Sequence, residues 1–223
     1  IRLASIANNL ANAQTPGYKS SRPIFEAVLS NAVTETETPN TYVAVYDTHI
    51  DFSNAPLVHS GAKLDVALEG DGFFIIDTPK GPMYTRNGQF TLDADKRIVT
   101  LSGDPVRGDG GPITVDGNEV VIETDGSVFV DGKRVGKISV TDFRDRERLR
   151  HAGKGLFVNS DPTNGEIEAS GYSVKQGAYE ASNVEVMKEM VDIIATVRAY
   201  ESYTRLQQSF GDMMAKLLEI GRF

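Results

Sequence analysis

Apolar residues recur at helical spacing at both ends of the chain, and the stretch between them has the pattern of short strands and turns. At the start, Leu3, Ile6, Leu10 and Ala13 stand three and four apart, and from Met187 to Ile220 the same spacing returns over about ten turns. Stripes of this kind are hidden only against each other or against other chains. The first helix is expected to stop near Ala13, because Thr15-Pro16-Gly17 joins a residue biased away from αR, a proline without an N–H and a glycine free to turn. With the stripe already running at Leu3, the chain is expected to open inside a helix whose earlier turns precede Ile1. Asn8, Asn9 and Asn12 are poor helix formers, and two readings stay open for them: amides satisfying the carbonyls of a fraying end, or a specific packing role.

After the first helix the pattern weakens. Phe25, Val28 and Leu29 suggest a helical turn or two, Thr34 to Thr41 is a Thr/Glu/Pro connector, and Tyr42 to Tyr46 and the region of Phe52 read as extended. From Lys63 to about Val174 the runs Phe73–Ile76, Ile98–Leu101, Val120–Glu123, Val128–Val130 and Ile138–Phe143 alternate with turn pairs. Those pairs, Asn87-Gly88, Asp116-Gly117, Asp125-Gly126 and Asp131-Gly132, supply the positive φ of two-residue hairpins, so several antiparallel hairpins are expected. Gly88 is accordingly expected to matter for stability through a positive φ.

The last helix is expected to open at Ser182, with Ser182 and Glu185 as a capping box and Asn183 as the competing cap. Val186, Met190, Ile193, Val197 and Tyr200 form one seam, and Tyr203, Leu206, Phe210, Met213, Leu217 and Ile220 a second one, after a phase slip that resembles a stammer. From Val184 to Ile220 such a helix would run about 55 Å, too long for a small β domain to cover. Gly211 weakens it, and Gly221 suits its C′ position. The expected fold is α+β: long N- and C-terminal helices forming a coiled-coil-like pair, bracketing a mainly antiparallel all-β middle domain. Its units are residues 1–14 (a truncated N-terminal helix), 15–61 (an extended connector), 62–176 (an all-β domain) and 177–223 (a C-terminal helix).

Composition changes this picture little. The 223 residues are 40% hydrophobic and 24% charged, as in an ordinary soluble globular chain, and no apolar run is long enough to span a membrane. A formal charge of −8, with the densest basic segment (Arg144 to Arg150) broken by Asp145 and Glu147, argues against nucleic acid. That segment reads as a solvated turn or strand end.

Candidate chemistry is sparse. Without cysteine there is no disulfide, thiolate site or thiol nucleophile, and His49, His59 and His151 have no ligand spacing. The glycines at 70–72 and 108–111 read as tight turns. Asp93-Ala94-Asp95 lacks the glycine and glutamate of a calcium loop, and there is no G-x-S-x-G elbow. No catalytic residue, metal site or cofactor is expected. No basic-then-apolar secretory signal is visible.

Two segments carry a resemblance. ANNLANAQTPGY (Ala7 to Tyr18) is similar to the signature of flagellar rod and hook proteins, and SNVEVMKEMVDIIATVRAYES (Ser182 to Ser202) is similar to their carboxy-terminal helix. The middle agrees: LDVALEGDGFF ending at Phe74, YTRNGQF (Tyr84 to Phe90) and GDPVRGDGGPI (Gly103 to Ile113) resemble proximal-rod members more than the longer distal-rod ones. Val33 to Thr48 is the least recognisable part, and Val184-Glu185-Val186 replaces the family's usual residues after SNV. The motif residues are Asn8, Asn9, Asn12, Thr15, Pro16, Gly17, Tyr18, Asn87, Gly88, Ser182, Asn183 and Val184.

The resemblance implies terminal helices packed as an inner coiled-coil layer around an axial channel, with the β domain outside. It implies a structural subunit of the flagellar basal-body rod in the periplasm, exported by the flagellar type III apparatus without a cleaved signal. Its partners would be itself and other rod proteins, proximal and distal. On this reading the assembly surface is Leu3, Ile6, Leu10, Met187, Met190, Ile193, Ile194, Val197, Tyr200, Tyr203, Leu206, Phe210, Met213 and Leu217. These stripes are expected to stay largely unfolded before assembly. The alternatives are a distal-rod or hook-type protein, a secreted carbohydrate-active β enzyme with an oligomerisation helix, and a trimeric phage-tail or adhesin-like protein.

Overall fold

A computed structural model of the chain describes residues 1–29 and 41–220, with side chains over 1–24 and 48–216. The Thr/Glu/Pro stretch from Thr34 and the glycine at 221 lie outside the described residues, as does the side chain of Leu217.

The body is built on an antiparallel six-stranded sheet. Its strands run in the spatial order Leu149–Gly153, Leu156–Asn159, Gly81–Thr85, Phe73–Thr78, Val140–Phe143 and Glu166–Glu168. The strand Phe73–Thr78 shows why it is central. Successive side chains of a strand point to opposite faces, and its first four residues are all buried. Phe74 and Ile76 enter the larger core, with Val66, Leu68, Phe90, Ile98, Val106, Val128 and Ile138. Phe73 and Ile75 enter a second, aromatic core with Ile50, Tyr84, Phe143, Leu149 and Phe157. In the aromatic core the rings meet edge to face, Tyr84 and Phe143 at 4.6 Å and Phe52 and Phe73 at 5.3 Å, the arrangement their quadrupoles favour.

Three corrections concern local structure. The segment with Phe25, Val28 and Leu29 is a strand, Ser21–Leu29, paired antiparallel with Thr41–Ile50. Three apolar residues at helical spacing did not outweigh a partner strand that pairs along the whole segment. Asn87-Gly88 is not a hairpin turn: the strand before it pairs with Phe73–Thr78, and Phe90–Leu92, which follows, pairs with Ile98–Thr100. Gly88 and Gly117 both lie outside the left-handed region. By contrast Asp131-Gly132, at φ 47° and 79°, joins Val130 to Lys133 as a two-residue hairpin.

The expected fold class is itself corrected. The chain is mainly β, with one short N-terminal helix, α1 (Arg2–Ala11), and one C-terminal helix, α2 (Val186–Ile220). Among the described residues no long N-terminal helix pairs with α2. The helix α1 has 10 residues and α2 has 35, or about 15 Å against 52 Å. The Thr15-Pro16-Gly17 turn stops α1, and its polar contacts reach no further than the first two turns of α2, through Asn9 to Glu189 and Arg2 to Asp192. Nor does α2 open at Ser182: the Ser182 hydroxyl accepts from the Val184 amide at 3.3 Å, and the first intrahelical bond runs from Glu189 N to Glu185 O.

One sheet edge is closed by a side chain. Beside the strand Val120–Ile122, Gln176 accepts from the Ile122 amide at 3.2 Å and donates to the Val120 carbonyl at 2.9 Å. The amide thus occupies the positions a further strand would take.

Candidate assembly surface and the junction that seats it

The motif residues from the two ends and the middle of the chain meet in one junction. At its N-terminal side, Asn9 is buried and fully engaged: Oδ1 accepts from the Ser21 amide at 2.9 Å, while Nδ2 donates to the Ser21 carbonyl at 3.0 Å and to Glu189 at 3.1 Å. Asn8 accepts from the Tyr18 hydroxyl at 2.9 Å, and Asn12 donates back to the Asn8 carbonyl, also at 2.9 Å. Of the two open readings, Asn8 and Asn9 take the packing role, and Asn12 serves the helix end. The Thr15 hydroxyl donates to Asn12, which ties the Pro16-Gly17 turn to α1.

Gly17 has φ 68°, and a Cβ there would lie 2.2 Å from the Asn87 nitrogen. Close approach rather than the turn alone therefore demands glycine. Asn87 closes its own loop by accepting from Gln89 N at 3.0 Å. Gly88 passes Val66 so closely that a Cβ would fall 1.6 Å from its carbonyl oxygen. From the C-terminal side, Asn183 accepts from Ser20 N and donates to Asp51 O, both at 2.7 Å, while Gly17 N donates to Glu180 O at 2.8 Å.

At the centre lies an ion cluster that periodicity and motif spacing did not reveal. Lys19 and Glu180, 0% and 1% exposed at their side chains, are 2.7 Å apart, and Arg86 approaches the other oxygen of Glu180 at 3.5 Å. Burial holds the Lys19 ammonium below the ordinary lysine range, against the pull of Glu180. Arg86 is likewise held down by burial, and its guanidinium lies over the Phe73 ring at 5.5 Å. Each of the three adjoins a motif: Lys19 follows Tyr18, Arg86 precedes Asn87, and Glu180 stands two before Ser182. A charge fixed beside a turn motif was the available signal. His151 stacks on Tyr18 at 5.2 Å and leans on Phe157, with its Nε2 buried and unpaired.

From this junction α2 runs out uncovered. Met187 is 76% exposed and Tyr200 72%, and Met190, Ile194, Val197, Tyr203, Leu206, Phe210 and Met213 are exposed as well. Ile193 is half-buried. On α1, Leu3 is exposed and Leu10 half-buried, but Ile6 is only 6% exposed and is spent inside the subunit. The two seams of α2 do not share a face. Val197 and Leu206 are nine residues apart, about two and a half turns, which puts them on opposite sides of the helix. The phase slip between Tyr200 and Tyr203 is thus a change of face.

The Arg144–Arg150 segment is a strand end with a short 3-10 turn, Arg146–Arg148, neutralised by its neighbours. Arg146 is paired with Asp142 and Asp71, and Arg148 with Asp145 and Asp161. Among the described residues no group of three or more His, Asp or Glu is placed to hold a metal ion, and no helix is long and apolar enough to cross a membrane.

A β body that locks the N-terminal helix and the root of α2 at one buried junction, and leaves the rest of a long apolar-striped helix in solvent, is the geometry of a structural subunit. Three family descriptions match the chain: a flagella basal body rod protein segment over residues 1–19, a flagellar hook protein FlgE/F/G D1 domain over 67–130, and the flagellar basal body rod FlgEFG protein C-terminal segment over 175–220. Among curated proteins it is 30% identical to the flagellar basal-body rod protein FlgF of Rhizobium meliloti, over 98% of this chain and 90% of the relative. It is 31% identical to FlgF of Caulobacter vibrioides, over 96% and 89%, and 32% identical to FlgG of Buchnera aphidicola from Acyrthosiphon pisum, over 99% and 94%. The chain belongs to the flagellar basal-body rod protein family and is a structural subunit of the rod.

Proposed function

We propose that this subunit serves in the proximal rod, held there by the two seams of α2, each against a different neighbour. The observation that carries the reading is the exposure of apolar side chains along α2 on two opposite faces. Burying one such side chain contributes about 1.5–3 kcal/mol, so a stripe of them supports a firm helical contact. Heterologous contacts that do not close on themselves build a filament, and a helix with two faces suits that task. The neighbours are further rod proteins, other copies of this chain included. The β body then lies outside an inner helical layer to which α1 adds Leu3 and Leu10.

Length supports the proximal assignment. The alignment with the Rhizobium FlgF spans 223 residues, whereas that with the Buchnera FlgG spans 245, more than this chain contains. Residence in the periplasm and export by the type III apparatus without signal cleavage complete the proposal. A non-enzymatic role is part of the proposal and is supported by the relatives, which are flagellar basal-body rod proteins.

The test is electron microscopy of basal bodies from a deletion strain complemented with the full chain or with a version ending at Ser182. Rods restored by the full chain alone support the proposal. Intact rods and normal swimming without the protein would refute it.

A further inference from the structure

Glu180 ends the strand Ala178–Glu180, shortly before α2 begins. Its carboxylate gathers three separate parts of the chain. Oε1 accepts from Lys19 Nζ at 2.7 Å and from the Ala55 amide at 2.8 Å, and Oε2 faces Arg86 at 3.5 Å. The two cations differ in what else holds them. Arg86 also donates to the carbonyls of Leu68 at 3.2 Å and Gly70 at 2.7 Å, both inside the β body. Lys19 has, besides Glu180, the Ser53 carbonyl at 2.6 Å. Arg86 is therefore built into the body, whereas the charge of Lys19 is balanced chiefly by Glu180, with Asp51 a weaker second anion.

We infer that Glu180 is a positioning residue: residues 17–20 and α1 dock onto the body only once Glu180 is in place to neutralise Lys19, so that the two terminal helices are seated together. Without the carboxylate, a lysine with no exposed side chain would sit beside a buried guanidinium, an arrangement the interior does not tolerate. Relief comes most easily if the N-terminal segment leaves. That movement would break the Gly17–Glu180, Ser20–Asn183 and Asn9–Glu189 bonds in turn, so α1 and the first turns of α2 would part. No α1 residue belongs to either hydrophobic core of the body, so the body would remain. The inference concerns a single subunit and does not rest on the proximal-rod reading.

The test is hydrogen exchange, read by mass spectrometry on the full chain, for the native protein, Glu180→Gln, Lys19→Met and the double variant. Glu180→Gln keeps the shape and one acceptor but removes the charge. Amides from Ser5 to Ser21 should exchange at least about tenfold faster, while those of Phe73–Thr78 and Ser127–Val130 keep their protection. Adding Lys19→Met removes the unbalanced ammonium and should return the N-terminal segment to within about twofold of Lys19→Met alone. Acceleration spread evenly over all strands would overturn the inference, as would unchanged protection in Glu180→Gln or failure of the double variant to recover. Should Glu180→Gln yield no folded protein, Lys19→Met/Glu180→Leu must still fold with Ser5 to Ser21 protected, and loss of that protection would equally overturn it.

Discussion

At the scale of single residues, the junction is made of positions where one atom more or one proton more is decisive. Gly88 is needed for clearance and not for φ, so Gly88→Ala should destabilise the body by about 3 kcal/mol, read as a lowered urea midpoint with an unchanged slope. His151 gives a pH signature. Burial holds its pKa below the usual 6.5, opposed by a backbone hydrogen bond with Lys19. The unfolded chain therefore takes up the proton first as pH falls: stability is complete above pH 6.5 and is lost progressively towards the lower folded value. Replacing His151 with Phe should flatten the fall in urea midpoint between about pH 7 and pH 5, and an unaltered slope there would show that other groups cause it. Sequence reading found the motif residues Asn9, Gly17 and Gly88 but misjudged Gly88, because a glycine needed for close approach looks like a turn glycine until its neighbour Val66 is known. It passed over Lys19, Arg86 and Glu180, since each partner lies far along the chain and no local spacing links them.

At the scale of elements, α2 carries two surfaces in sequence. Val197→Glu belongs to the first seam and Leu206→Glu to the second; each should leave the melting of the body unchanged and abolish or weaken rod assembly. If the seams meet different neighbours, the two variants should fail differently, with basal bodies lacking different adjoining parts under the electron microscope. Identical defects would argue for one continuous interface. The helix itself was readable from Met187 to Ile220 because a 3.6-residue pattern survives over many turns. Its start was misplaced because Ser182 and Glu185 have the right spacing for a capping box while the chain around Asn183 is drawn to Ser20 and Asp51 instead. A short extended segment with apolar residues at 25, 28 and 29 gave no comparable redundancy, and it folded as a strand.

At the scale of the whole molecule, the buried cores and the exposed apolar stripe are separated in space. Both cores lie in the β body, and α2 beyond its second turn adds exposed apolar surface. A chain truncated after Ile194 should therefore keep the thermal midpoint of the full chain within about 2 °C, whereas removing Glu189 as well should free Asn9 and lower it. Strand runs such as Phe73–Ile76 and the Asp131-Gly132 hairpin were evident in the sequence, but the pairing order of the sheet, which joins residues as far apart as Tyr84 and Phe157, was not. A long N-terminal partner for α2 was also expected, on the strength of its stripe, and the folded chain supplies only ten residues of it. The Gln176 amide that closes the Val120–Ile122 edge acquires a meaning in this light. A bare strand is a template for pairing with another chain, and a side chain that fills the positions of the missing neighbour removes that template at this edge.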